Sequence, residues 1–242
     1  MAPRRKALHW IGPNDRLPAA SDALSDPNGL VAAGEDLSAS RLIEAYSGGL
    51  FPWFSAGQPV LWWSPDPRMV LRLQHFRVSR SLIKTVRRLR SEPRFQVTID
   101  RAFSEVMRAC AAPREGSPGT WITPPMIQAY SDLHRAGHAH SVEIWDGTEL
   151  IGGLYGVAIG RMFYGESMFA RRTDASKVAL YSLVDMLKAL GFRVIDCQQN
   201  TGHLASLGAA EMPRSAFLAE LGDLIRQPPP DWRAVEIGFP KA

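Results

Sequence analysis

Asp196, Cys197 and Gln198 stand in a row at the end of an apolar run, Phe192 to Ile195. Two chemistries fit such a row. Cys197 could be a nucleophile with Asp196 as its helper, or a carboxylate and an amide could converge on one substrate. Side chains alternate faces along a strand. If the run is a strand, Asp196 and Gln198 share one face and Cys197 points to the other, which favours the second chemistry. Free cysteine is also often buried and inert. A plainer role, with Asp196 and Gln198 satisfying backbone groups of the next loop, fits the same residues.

Other residues invite similar questions. In "YGESMF" (164–169), strand alternation puts Glu166 and Met168 on one face, a carboxylate at the lip of a pocket with Met168 inside it. The alternative is an exposed glutamate at a strand end. Trp53 in "FPWF" and Trp121 in "GTWIT" are flanked by Pro and Gly, so both are expected on loops, where indoles can stack on unpaired bases. Arg77, Arg80, Lys84, Arg87 and Arg88 fall on one helical face, opposite Leu82, Ile83, Val86 and Leu89, and suit an anionic partner such as RNA. Positive residues recur at Arg171, Arg172 and Lys177. "HRAGHAH" (134–140) could put His138 and His140 on one strand face, but no third ligand has suitable spacing, so no metal site is expected. The chain has no G-x-x-x-x-G-K-[ST] motif and no Gly-rich turn ahead of its 174–191 segment, so neither an ATP site nor a cofactor pyrophosphate cradle is expected.

These residues depend on the elements that carry them. Residues 1–66 read as turn-rich, with one helix capped by Ser38 and striped by Leu42, Ile43, Tyr46 and Leu50. Pro65 and Pro67 interrupt regular structure and suggest a boundary near 66, separating a small N-terminal domain (1–66) from a larger C-terminal one (67–242). Beyond it, the pattern predicts a helix over 79–90, a strand at 95–100 and a helix capped by Asp100. A further helix has Thr123 as cap and Gly137 as stop. Three strands follow, joined at Asp146–Gly147 and 159–161, then a helix ending at Gly191 and the strand "FRVIDCQ". A strand–helix–strand unit after an antiparallel meander implies an α+β fold with a mixed sheet.

Composition narrows the class. Of 242 residues, 45% are hydrophobic and 21% charged, an ordinary globular balance, and the net charge is +4. No apolar run reaches the roughly 20 residues of a membrane span. The basic start has no apolar segment of signal-peptide length behind it, and two cysteines make no disulfide framework. The expectation is a cytoplasmic protein with reduced thiols, without membrane association and without an obvious oligomer interface, hence a monomer.

Taken in order, "PNGL" (27–30), "FPWF" (51–54), "LWWSPDPR" (61–68), "GTWIT" (119–123), "LHRAGHAHSVE" (133–143), "GGLYGVAIG" (152–160), "GESMF" (165–169), "ASK" (175–177) and "IDCQ...HLASLGA" (195–209) resemble the leucyl/phenylalanyl-tRNA–protein transferases. Departures are Glu35, where the family usually has Gly, and a longer lead and 112–118 segment. The resemblance implies a C-terminal acetyltransferase-like (GNAT-like) mixed sheet flanked by helices. It implies transfer of Leu or Phe, less readily Met, from aminoacyl-tRNA to proteins with N-terminal Arg or Lys, marking them for degradation. An aminoacyl ester is already activated, so neither an enzyme nucleophile nor ATP is needed. Asp196 would orient or deprotonate the acceptor amine, directly or through Gln198. Glu166 would attract the cationic acceptor or hold the aminoacyl end. Met168, Phe163, Leu180 and Ile195 would form the donor pocket, Trp53 and Trp121 would hold the terminal adenosine, and Arg80, Lys84, Arg87 and Arg88 the acceptor stem.

Overall fold

Proline and glycine punctuation divides the chain into short strands and capped helices. The computed structural model describes residues 8–113 and 120–241. The longer lead and most of the 112–118 segment lie outside these residues. The first part comprises β1 (His9–Ile11), β2 (Leu30–Gly34), α1 (Ala39–Ser47), β3 (Phe51–Pro52) and β4 (Val60–Trp63). Ser38 caps α1, its hydroxyl accepting from the Arg41 amide. The four strands form a sheet in the order β1-β2-β4-β3. The turn-rich reading does not foresee this sheet, because strands of two to five residues are too short to show a period.

The second part runs β5 (Arg68–Arg72), α2 (Arg80–Ser91), β6 (Phe95–Ile99), α3 (Phe103–Ala111), α4 (Pro124–Arg135), β7 (Ala139–Asp146) and β8 (Glu149–Ile159). It continues with β9 (Met162–Ala170), α5 (Ala175–Ala189), β10 (Val194–Gln198), α6 (Gly202–Ser206), β11 (Ala210–Met212) and α7 (Arg214–Leu224). Its sheet has the order β11-β5-β10-β9-β8-β7-β6. The meander β6 to β9 is antiparallel, and β10 joins β9 in parallel after the α5 crossover. This is the expected α+β class with a mixed sheet flanked by helices. Gly147 and Gly160 take left-handed φ of 60° and 57° at the two hairpin turns, as their positions required.

One apolar cluster lies between one face of the large sheet and α1, α3, α4 and α7. The other joins the opposite face to α2 and α5. Asp100 does not cap α3, whose N-cap is Ala102. Its carboxylate instead accepts from the His140 imidazole at 2.7 Å and the Ser141 amide at 2.8 Å. Two of the three "HRAGHAH" histidines are used in packing: His134 stacks on Phe103 and His140 on Trp232.

Two irregularities shape the centre of the sheet. Glu166 is an extra residue in β9, because Tyr155 pairs Ser167 while Gly156 pairs Gly165. Register also slips in β10 between Asp196 and Gln198, where Gln198 has a φ of 58°. Such bulges reverse the alternation of the strand beyond them. The parallel contact of β9 with β10 is confined to Ile195 with Phe163 and Asp196 with Tyr164. Beyond those pairs the strands part.

Candidate active site

The parting of β9 and β10 opens into a cleft of about 680 Å³. Gly165, Glu166, Ser167 and Met168 from β9, and Ile195, Cys197 and Gln198 from β10, line it. Phe51, Pro52 and Trp53 of the N-terminal part close one side, and Cys110, Thr120 and Trp121 another. Leu180 of α5 completes an apolar wall with Met168 and Ile195.

Glu166 and Gln198 face each other where the strands part, the Gln198 side-chain amide donating to Glu166 Oε1 at 2.8 Å. Tyr46 donates to the same oxygen at 2.8 Å, and Tyr130 to Oε2 at 3.3 Å. The two tyrosine hydroxyls also meet each other. All three of these donors to Glu166 are neutral. Burial pushes its carboxyl up to about 7, the Asp196 charge adds to the rise, and the hydrogen bonds oppose it. The two tyrosines are held well above the ordinary phenol value by burial and by Glu166, so they stay protonated donors.

Asp196 corrects the sequence reading. It does not line the cleft and is fully buried. Arg68 grips both of its oxygens, Nε to Oδ1 at 2.8 Å and Nη2 to Oδ2 at 2.6 Å. Arg68 lies between the Phe51 and Phe217 rings and donates to the Gly49 carbonyl, tying the pair to the N-terminal part and to α7. Asp196 Oδ1 also accepts from the Gln198 backbone amide at 2.9 Å. Asp196 thus holds Gln198 in its left-handed turn and touches the cleft only through it. It does not share a face with Gln198, because the bulge intervenes.

The same logic relocates two other residues. Met168 packs with the α5-side cluster, whereas Glu166 turns to Tyr46 and Tyr130 on the opposite side, so the β9 bulge separates a pair expected on one face. Phe163 is fully buried beneath the sheet surface and does not line the cleft. A side chain at Gly156 would stand 2.5 Å from its ring, so Phe163 supports the floor rather than the pocket. Met168, Leu180 and Ile195 do line it. Trp53 and Trp121 both lie on loops at the cleft. Trp53 is 42% exposed, its ring steadied edge-on by Trp63.

Cys197 lines the cleft, but burial first and the Asp196 charge second raise its thiol far above the ordinary cysteine value. Its sulfur meets the Ile195 carbonyl at 3.8 Å. A thiol so disfavoured as thiolate is no nucleophile. If the cleft performs the transfer that the resemblance implies, Cys197→Ser is expected to keep most of it, measured as label moved from a charged donor to an acceptor. Abolition of transfer by this one-atom change would restore Cys197 as a reacting group.

Arg80, Lys84, Arg87 and Arg88 are exposed on α2, with Leu82, Val86 and Leu89 buried beneath them. The other basic residues are engaged locally: Arg172 with Asp146 and Glu149, Lys177 with Asp174, and Arg171 with the Leu150 carbonyl. Among the described residues no group of three or more His, Cys, Asp or Glu could hold a metal ion. No described helix is long and apolar enough to cross a membrane.

The profile described as leucyl/phenylalanyl-tRNA protein transferase matches residues 70–222, and that of the same enzymes' N-terminal domain matches residues 35–66. The chain belongs to this family. A leucyl/phenylalanyl-tRNA–protein transferase of Chromobacterium violaceum is 58% identical over 93% of this chain and 94% of its own length. Proteins of the same name from Burkholderia ambifaria and Paraburkholderia phytofirmans are 56% and 55% identical. They match 93% of this chain and 90% and 93% of their own lengths. Among solved structures, the chain is distantly similar to a conserved protein of unknown function from Bacteroides thetaiotaomicron. Its TM-score is 0.43 at 10% identity, over 58% of this chain and 53% of that one. A GCN5-related N-acetyltransferase from Kribbella flavida has a TM-score of 0.37 at 8% identity, over 71% of this chain and 60% of that one. Likeness this distant says nothing of activity.

Sequence reasoning does not mark Tyr46, Tyr130 or Arg68 as parts of the site. Tyr46 lies on the apolar stripe of α1 and reads as core. Arg68 does leave a trace: a carboxylate inside the apolar run of β10 needs a buried partner.

Proposed function

We propose that this aminoacyltransferase moves Leu or Phe, less readily Met, from aminoacyl-tRNA to the α-amine of proteins that begin with Arg or Lys. The observation that carries this reading is the Glu166–Gln198 contact at the floor of an apolar-walled cleft. The nucleophile is the acceptor's amine, whose ordinary pKa is about 7.7–8.0. A carboxyl pushed up to about 7 is well matched to receive its proton near neutral pH. Gln198 can donate to one substrate group and accept from another, so it aims the amine at the ester carbonyl. Asp196 is a positioning residue that acts through the Gln198 backbone.

The remaining groups take the donor. Met168, Leu180 and Ile195 accept its side chain, and a flexible Met suits both Leu and Phe. Trp53 and Trp121 hold the terminal adenosine, and the α2 cations hold the acceptor stem. No cofactor enters this scheme. The products are marked for degradation, and the protein works as a cytoplasmic monomer of two units that meet at residue 66.

Labelled Phe-tRNA mixed with an Arg-terminated and a Gly-terminated protein tests the reading. Label is expected on the first alone. Transfer to neither, or transfer dependent on added acetyl-CoA, contradicts it. Neutralising Arg80, Lys84, Arg87 and Arg88 is expected to weaken tRNA binding and flatten its salt dependence. The log–log slope should shrink by roughly 0.7–0.9 for each phosphate that these cations had neutralised. An unchanged slope would return the α2 face to plain solvation.

A further inference from the structure

Tyr46, Tyr130 and Glu166 meet in a closed triangle beside the cleft. The Tyr46 hydroxyl touches Glu166 Oε1, that of Tyr130 touches Oε2, and the two hydroxyls touch each other. Both tyrosines are fully buried, and neither hydroxyl has another hydrogen-bond partner among the described residues. The protons of the triangle can therefore be counted. Each phenol carries one, a carboxyl carries one and a carboxylate carries none.

With Glu166 ionised, the two phenol protons must serve three contacts. If both point to the carboxylate, the phenol oxygens face each other with nothing between them. If one points to the other phenol instead, a phenol oxygen faces the carboxylate bare. With Glu166 protonated, every contact has its own proton. The bonds then run one way round, from the carboxyl to Tyr130, from Tyr130 to Tyr46 and from Tyr46 back to Oε1. Bonds in such a chain strengthen one another away from water. The Gln198 side-chain amide donates to Oε1 in either state and leaves the count unchanged.

We infer that Tyr46 and Tyr130 are positioning residues that close a hydrogen-bonded ring with Glu166 when it holds a proton and leave one contact empty when it does not. Taken singly, each phenol donor favours the carboxylate and opposes the rise of the Glu166 carboxyl. Taken as a ring, the pair favours the acid. The tyrosines thus help Glu166 take up a proton, which on the aminoacyl-transfer reading above is the acceptor amine's. Of the other titratable groups, Asp196 of β10, paired with Arg68 of β5, and Tyr155 of β8 act on Glu166 by charge alone. Cys110 of α3, Cys197 of β10 and His203 of α6 share its cleft but stand outside the triangle.

The test is the titration of the Glu166 carboxyl by carbon NMR of isotope-labelled glutamate, with E166Q identifying the signal, in the wild type, Tyr46→Phe and Tyr130→Phe. Either substitution opens the ring. The carboxylate then keeps one phenol donor and no empty contact, whereas the protonated state is left with a proton that finds no acceptor. The titration midpoint is expected to fall by about one pH unit in each variant, the worth of one neutral hydrogen bond. A midpoint that rises, as the loss of an ordinary donor would make it, or that stays in place overturns the assignment. Either variant that keeps the native amide spectrum decides the matter. Loss of the fold in both would make the hydroxyls structural and overturn it as well. Single-turnover transfer separates the ring from the reaction: the midpoint of the rate should fall with that of the carboxyl. A carboxyl midpoint that falls while the rate profile stays put, or a wild type that transfers nothing, sinks the proposed reaction and leaves the ring standing.

Discussion

Glu166→Gln is expected to slow peptide-bond formation by roughly 10²- to 10⁴-fold, the usual contribution of a positioned general base. The substitution keeps the shape of the side chain and an oxygen for Tyr46 and Gln198, while its amide nitrogen meets the Tyr130 hydroxyl, which can accept from it, so the loss chiefly reports the missing charge and base. The same variant should change stability in the opposite sense. The folded carboxyl titrates at about 7, above its ordinary 4.5. The folded state therefore binds this proton more tightly than the unfolded chain, and stability falls as pH rises from about 4.5 to about 7. The full difference is about 3 kcal/mol. Denaturant titrations at pH 5 and pH 8 should show this decline in the wild type and a smaller one in E166Q. A variant that is slower and also less stable at pH 8 would mean that the ionised carboxylate is a structural anchor.

Arg68→Met is expected to cost about 3–5 kcal/mol, because it leaves the Asp196 carboxylate buried without its partner. Against a typical stability of about 5–15 kcal/mol, this brings the protein near its unfolding limit. Asp196→Asn should cost a comparable amount by stranding Arg68. The double variant Arg68→Met/Asp196→Leu separates structure from function. Replacing a buried pair with apolar residues can be neutral or stabilising, so most of the stability should return. Activity should not return, since the Gln198 amide no longer has the oxygen that holds its turn. A double variant that recovers transfer together with stability would show that the pair only supports the fold.

The elements that sequence reveals best here are those with a long period or a strong stop. The helix expected over 79–90 spans Arg80–Ser91, one residue later at each end, because Ser79 is its cap rather than its first turn. The β7–β8 turn lies at the expected place but one residue on: Asp146 still pairs Glu149, so Gly147 and Thr148 make the turn, with Gly147 at a left-handed φ of 60°. The site is legible as residue types and less so as geometry. Glu166, Gln198, Trp53, Trp121, Met168, Leu180 and Ile195 all come to one cleft. Asp196 and Phe163 do not. For Asp196 the physical reason is a bulge. Face assignments assume unbroken alternation, whereas β9 and β10 each carry a bulge beside the site. A bulge depends on pairing with another strand and leaves no period in its own sequence. Phe163 is set by depth: it lies under Gly156 of the neighbouring strand, a close approach that only the pairing reveals. Tyr46 and Tyr130 stay hidden because a buried tyrosine on a helix stripe looks the same whether its hydroxyl meets a backbone carbonyl or a reacting carboxyl.

The central claim is that Glu166 takes the proton of the acceptor amine. Single-turnover transfer from Phe-tRNA to a saturating Arg-terminated acceptor, followed from about pH 5.5 to about pH 8.5 in the wild type and in E166Q, tests it most directly. Glu166 in its ionised form should give the wild type a rise in rate with a midpoint near 7, and E166Q should lack that limb while keeping any limb that belongs to the amine itself. Profiles of the same shape in both proteins would contradict the claim.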